Sequence, residues 1–193
     1  MKETAPRKII IITAPSGAGK TSITRHLLKV LPDRLRFSVS AATRQPRPGE
    51  VDGRDYYFLS VEAFRHRIQE QAFVEWEMVY EGKYYGTLKS ELQRSWDAGQ
   101  TPLLDIDVKG AIHVQQQYPG SCLSLFIEPP SIEELKKRLE SRGTESPESL
   151  EARVNKAAYE LSFKDHFDHC IVNHVLERAC REAEALVRQF LDR

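Results

Sequence analysis

The stretch from Lys8 to Leu31 limits this chain's fold more than any other. It reads K-I-I-I-I-T, then A-P-S-G-A-G-K-T, then a helical pattern. The run Ile9 to Ile12 is β-branched throughout, as suits a strand buried on both faces. Small residues follow and end at Lys20 and Thr21, where Ile23, Leu27, Leu28 and Leu31 begin an apolar stripe at helical spacing. Strand, small-residue loop and helix come in the order of a phosphate-binding P-loop. Backbone N–H groups in such a loop must point at phosphate oxygens, which favours the small Gly17, Ala18 and Gly19. Lys20 can then reach β- and γ-phosphates, the Thr21 hydroxyl can bind magnesium, and the helix aims its positive end at the anion. One position departs from the pattern: Ala14 stands where the first glycine is usual, a small residue and a permitted variant.

Beyond this stretch, strands alternate with helices. Arg36 to Ser40, Tyr56 to Leu59 and Phe73 to Val79 read as short strands, with a helix over Val61 to Ile68 entered after Ser60. Tyr84, Tyr85 and Gly86 lead into a helix from Lys89 to Ala98 that ends at Gly99. Pro102 to Val108 and Ser121 to Ile127 are further buried strands, separated by a helix over Gly110 to Gln117. Ser131 with Glu134 makes a capping box for a helix through Ser141. A helix over Pro147 to Phe163, a short strand at Ile171 and Val172, and an amphipathic helix from Glu177 to Leu191 complete the pattern. The expected fold is α/β: a parallel sheet flanked by helices, with a small β-rich lobe inserted and the ligand at the carboxyl ends of the strands.

Lys plus Arg equal Asp plus Glu at 28 each, so no global charge favours nucleic acid or an anionic membrane, and an anion site must be local. Cys122, Cys170 and Cys180 are odd in number and lack paired spacing, which fits reduced thiols in the cytoplasm. The polar start M-K-E-T-A-P-R-K has no signal-peptide segment, and the isoleucine run is far too short to span a bilayer. His166, His169 and Cys170 form H-x-x-H-C without a second ligand pair, so zinc is not expected. Trp76 and Trp96 are expected to pack rather than to stack on bases.

A second anion site is suggested by Arg44 and Arg47, which flank Gln45 and Pro46 in a loop stiffened by Pro46 and Pro48. Two held guanidinium forks suit phosphate, although a solvated basic loop is the competing reading. Tyr56 and Tyr85 can add hydroxyl donors. Glu75 in the same lobe would repel phosphate, so a different task fits it: accepting the ring N–H and amino hydrogens on one edge of guanine.

At this point the sequence closely resembles the guanylate kinases, of the P-loop nucleoside monophosphate kinases. The stretches that carry the likeness are A-P-S-G-A-G-K-T, F-S-V-S, T-R-Q-P-R-P-G-E, G-R-D-Y, F-V-E-W, Y-Y-G-T, L-L-D-I-D, I-E-P-P-S, R-L-E-S-R-G-T-E and I-V-N, in the family's order. The resemblance implies phosphoryl transfer from ATP to GMP, and to dGMP, with magnesium. It implies a core of about 1–34, 88–130 and 158–193, a GMP-binding lobe of about 35–87 and a helical lid of about 131–157. It places Ser40, Glu75 and Thr87 on the guanine and Arg44, Arg47, Tyr56 and Tyr85 on the GMP phosphate. Ser16, Gly17, Ala18, Gly19, Lys20, Thr21 and Ser22 fall on the donor nucleotide, with Asn173 near the adenine. The family often has Asp after that asparagine, where His174 stands here. Asp105 and Asp107, expected at i and i+2 on one strand face, match the family's paired acids, Asp105 as a magnesium ligand with Thr21. Arg142 and Arg153 match arginines that close over the ATP phosphates, while Arg138 belongs to that set or to a surface pair with Glu134. A guanylate-kinase-like scaffold without catalysis is the alternative, disfavoured by the intact Gly19, Lys20 and Thr21. The implied protein is a soluble, cytoplasmic monomer or homodimer acting on free nucleotides, without nucleic acid or membrane partners.

Overall fold

The computed structural model describes residues 7–141 and 147–193. Two sheets organise it. The larger holds β2 (Leu35–Phe37), β7 (Thr101–Asp105), β1 (Ile9–Thr13), β8 (Cys122–Glu128) and β9 (His169–Val172), in that spatial order and all parallel. The smaller holds β4 (Tyr57–Phe58), β3 (Ser40–Ala42), β6 (Lys83–Leu88) and β5 (Phe73–Tyr80). In it, β3 runs antiparallel to β6, and β6 to β5. Helices α1 (Lys20–Val30), α2 (Val61–Gln69), α3 (Lys89–Asp97), α4 (Val108–Gln117), α5 (Ile132–Glu140), α6 (Pro147–Leu161) and α7 (Leu176–Leu191) complete the chain.

The isoleucine run earns its composition by being buried on both sides. Ile10 and Ile12 pack with Ile23 and Leu27 of α1, Leu135 and Leu139 of α5, and Val187 of α7. Ile9 and Ile11 face the opposite layer, with Leu92 of α3 and Val114 of α4. All four are fully buried, each worth roughly 2 kcal/mol of apolar transfer. The small sheet has its own core, where Phe64 stacks on Phe73 at 4.3 Å and on Tyr84 at 5.3 Å. Trp96 packs as expected, its Nε1 donating to Lys8 O at 3.0 Å, whereas Trp76 leaves 43% of its surface exposed beside Tyr84.

Three sequence expectations need correction. The strand read over Arg36 to Ser40 is two strands in different sheets: Phe37 pairs with Leu103 in the large one, and Ser40 with Thr87 in the small one. The chain crosses between sheets at Ser38 and Val39. Buried Glu91 holds this crossing by accepting Val39 N–H at 3.1 Å and the Tyr57 hydroxyl at 2.8 Å. Second, Tyr84 to Thr87 lie in β6, a strand hidden from period-two reading by Gly86, which is packed against the backbone of Glu75. Third, the strand expected through Val108 stops at Asp105. Asp107 instead caps α4, accepting Gly110 N–H at 2.8 Å, so the two acids do not share a strand face.

Candidate active site between the phosphate loop and the small sheet

The loop after β1 delivers α1 with an open N-terminus. Gly19 is the capping residue, at φ 103°, and no side chain caps the helix. That left-handed backbone favours glycine, and a Cβ there would lie 2.2 Å from Asn173 Nδ2. Ala14, in contrast, has no positive φ and packs its methyl in the core, which explains why alanine is tolerated. Lys20 Nζ pairs with Asp105 Oδ1 at 2.6 Å. Burial works against the ammonium, but the carboxylate's charge and hydrogen bond outweigh it and hold the Lys20 pKa above its ordinary value. Ser16, Gly17, Gly19, Thr21 and Ser22 line a cavity of about 310 Å³ that Asp107, Lys156 and Glu160 close. Arg153 of α6 reaches this loop, its Nη1 donating to Ser16 Oγ at 3.3 Å.

Asn173 is buried under the phosphate loop, and its Nδ2 donates to Ala18 O at 2.8 Å, a contact with the loop's backbone that the sequence did not suggest. Of the two readings left open for Arg138, the pair with Glu134 is present, Nε to Oε1 at 3.2 Å, and its Nη2 also donates to Asn173 O at 3.1 Å. Glu134 therefore serves Arg138, and the capping box is reduced to the Ser131 hydroxyl accepting Glu134 N–H. Arg142 lies outside the described residues.

A second cavity, of about 270 Å³, adjoins the first, since Lys20, Asp107 and Lys156 line both. Strand register builds its wall. Ser40 pairs with Thr87, and Thr87 with Glu75, making one row across β3, β6 and β5; Tyr85 opposite Glu77 makes the next. Ser40, Tyr56, Glu75, Tyr85 and Asp105 all face this space. Thr87, fully buried, donates its hydroxyl to Glu75 Oε1 at 2.6 Å. Burial pushes the Glu75 carboxyl up to about 7, against the pull of that hydrogen bond. Burial likewise raises the Tyr56 phenol, reinforced by Asp105.

Arg44 does not line this cavity itself but is held, rather than solvated, against the Tyr56 ring that does. Its two terminal nitrogens meet Glu50 at 2.6 and 2.7 Å, and its guanidinium lies 4.9 Å from the Tyr56 ring centre and 5.5 Å from that of Phe58. The Arg44 hydrogen bonds, with the Arg47 N–H at 2.7 Å, pull the Glu50 carboxyl down to about 2. The Arg47 side chain is exposed and does not line the cavity.

Several residues here had no assigned task in the sequence. Glu50 closes the T-R-Q-P-R-P-G-E stretch, and its offset of six from Arg44 was the available signal. Glu77, two residues after Glu75, was legible as the next residue on the same strand face. Its carboxyl is raised to about 7 by a hydrogen bond with Asp107 and then by burial, while Asp107 is held low against its own burial by Glu77 and Gly110 N–H. Lys156 and Glu160 follow Arg153 at helical spacing. The arrangement sets an anion-binding helix start against a pocket with a buried hydrogen-bond acceptor, so two phosphorylated ligands can meet at Lys20.

A family model described as Guanylate kinase matches residues 6–190. The chain is 48% identical over 185 residues to a guanylate kinase of Salinibacter ruber, covering 96% of this chain and 97% of that one. It is 45% identical to a guanylate kinase of Bacteroides fragilis, covering 98% and 92%. Among solved structures, a guanylate kinase from Anaplasma phagocytophilum superposes with a TM-score of 0.76 at 29% identity, over 96% of this chain and 87% of that one. Among the described residues, no helix is long and apolar enough to cross a membrane.

Proposed function

The chain belongs to the guanylate kinase family, ATP:GMP phosphotransferases that give ADP and GDP, and on that premise we propose a division of labour for its residues. Glu75 accepts the ring N–H and amino hydrogens of guanine, with Ser40 and Thr87 beside it. Arg44, Arg47, Tyr56 and Tyr85 hold the GMP phosphate. Ser16 to Ser22 wrap the ATP phosphates, with Lys20 on the γ-phosphate as the transferring group moves. Arg153, and Arg142 from outside the described residues, neutralise charge developing on that group. An oxygen of the GMP phosphate attacks the γ-phosphorus, the bond to the bridging oxygen breaks, and ADP leaves with no covalent enzyme intermediate. Residues 131–157 act as the lid, a reading supported by the Arg153 contact with Ser16.

Hard oxygen donors suit magnesium here. Among the described residues no three His, Cys, Asp or Glu side chains form a metal cage. Thr21 and Asp105 would hold it, directly or through water, and when bound it offsets phosphate charge. dGMP serves as a second acceptor, because the assigned contacts fall on base and phosphate and leave the ribose 2′ position unread. The GDP formed re-enters purine nucleotide recycling. Balanced charge and three free thiols support a cytoplasmic enzyme acting on free nucleotides, without nucleic acid or membrane partners, as a monomer or homodimer.

One observation carries the residue assignment: Ser40 and Glu75, joined in one row through the buried Thr87, face a cavity that shares Lys20 with the phosphate loop. ADP formation from ATP, measured with GMP, AMP, UMP and TMP separately, tests it. Turnover with GMP far above the others is expected; equal turnover with AMP would overturn the role of Glu75.

A further inference from the structure

Glu75 can adopt its position only because of a residue on another element. Gly110 lies in the first turn of α4, buried against β5. A Cβ built on it would fall 2.8 Å from Glu75 Oε2, 3.1 Å from Glu75 Cδ and 3.3 Å from Asp107 Oδ1. The carboxylate is thus fixed at both oxygens: Oε1 takes the Thr87 hydroxyl, and Oε2 rests on the bare Cα of Gly110. We infer that Gly110 is a specificity-determining positioning residue for the base, its missing side chain being the seat that aims Glu75 into the acceptor pocket. This rests on the proposed reading of Glu75 as the guanine acceptor.

The backbone of Gly110 does not need glycine. Its φ is not positive, and alanine is the better helix former by about 1 kcal/mol. The atoms a methyl would meet are the far end of one flexible side chain and a neighbouring carboxylate. Ordinary contact begins at 3.4 Å, so the Glu75 carboxylate would have to retreat by roughly 0.6 Å. Such a shift is small for the fold and large for recognition, since misplacement on the ångström scale costs about a hundredfold in well-oriented sites.

Steady-state kinetics on the full chain for wild type, Gly110→Ala, Glu75→Ala and the double variant test this, with thermal unfolding alongside. Gly110→Ala is expected to raise KM for GMP about tenfold or more and to narrow discrimination against IMP, which lacks the amino group. KM for ATP and the Tm should hold. In the Glu75→Ala background the same substitution should be silent, because the group it displaces is gone. If Glu75→Ala raises KM for GMP but Gly110→Ala leaves it unmoved, or if Gly110→Ala raises it equally in both backgrounds, the positioning role is overturned. A Tm loss in Gly110→Ala that persists in the double variant overturns it too. If Glu75→Ala itself leaves KM for GMP unchanged, the base assignment fails, and this inference with it.

Discussion

Lys20 Nζ and Asp105 Oδ1 stand 2.6 Å apart at the wall between the two cavities. The carboxylate keeps the ammonium charged and in place, and the phosphates of the donor compete with it for that ammonium. Lys20→Ala removes the cation proposed to meet the transferring group. Turnover should fall by about a thousandfold or more, on the scale of lost electrostatic stabilisation. GMP affinity, by calorimetric titration, should change less than about threefold, since Glu75 and Arg44 remain. Normal turnover in a coupled assay would contradict the mechanism.

Arg44 offers a fork already fixed by Glu50 and the Tyr56 ring. Replacing it with lysine keeps the charge and loses the planar geometry. KM for GMP should rise by about tenfold, and Arg44→Ala should raise it further, with KM for ATP steady in both. Equal effects on the two substrates would place Arg44 outside the acceptor site.

Glu75 links recognition to pH. Its carboxyl is raised from 4.5 to about 7 in the folded protein. The unfolded chain therefore loses this proton first, and the stabilisation from holding Glu75 neutral is present below pH 4.5 and lost as pH rises through about 7. The change is about 3 kcal/mol by linkage, and Glu75→Gln should remove its share from a pH series of urea unfolding curves. The proposed contact with guanine needs the carboxylate, so competition by guanosine, which has no phosphate to titrate, should weaken below about pH 7. An unchanged stability slope in Glu75→Gln would contradict the shift.

Asn173 clasps the phosphate loop through Ala18 O. Asn173→Ala leaves a carbonyl without this partner beneath the loop and should cost about 1–3 kcal/mol of stability. KM for ATP should rise several-fold while KM for GMP holds. A residue that only touched adenine would leave unfolding unaffected, so the Tm separates the two roles.

The donor half was largely legible in the sequence. Two-sided burial of Ile9 to Ile12 and the small residues up to Thr21 are local properties that strand, loop and helix express directly. The acceptor half was less so. Glu75 could be matched to guanine by chemistry, but its row with Ser40 and Thr87 depends on a β6 that Gly86 obscured. The Asn173 clasp and the Gly110 seat join segments far apart in the chain, and periodicity carries no trace of them. Asp107 was misread because a cap and a strand end look alike in D-I-D. Glu50 lies only six residues from Arg44, but their pairing depends on how the loop turns, which residue type alone does not give.

The proposed division of labour requires Glu75 to read the base independently of the phosphate loop, which calorimetric titration of wild type and Glu75→Gln with GMP and with ATP can test. The substitution removes the charge and turns one of the two acceptor oxygens into an NH2 that faces a guanine hydrogen, so GMP affinity should fall by about a hundredfold or more while ATP affinity stays within about threefold. Undiminished GMP affinity, or an equal loss for both nucleotides, would contradict it.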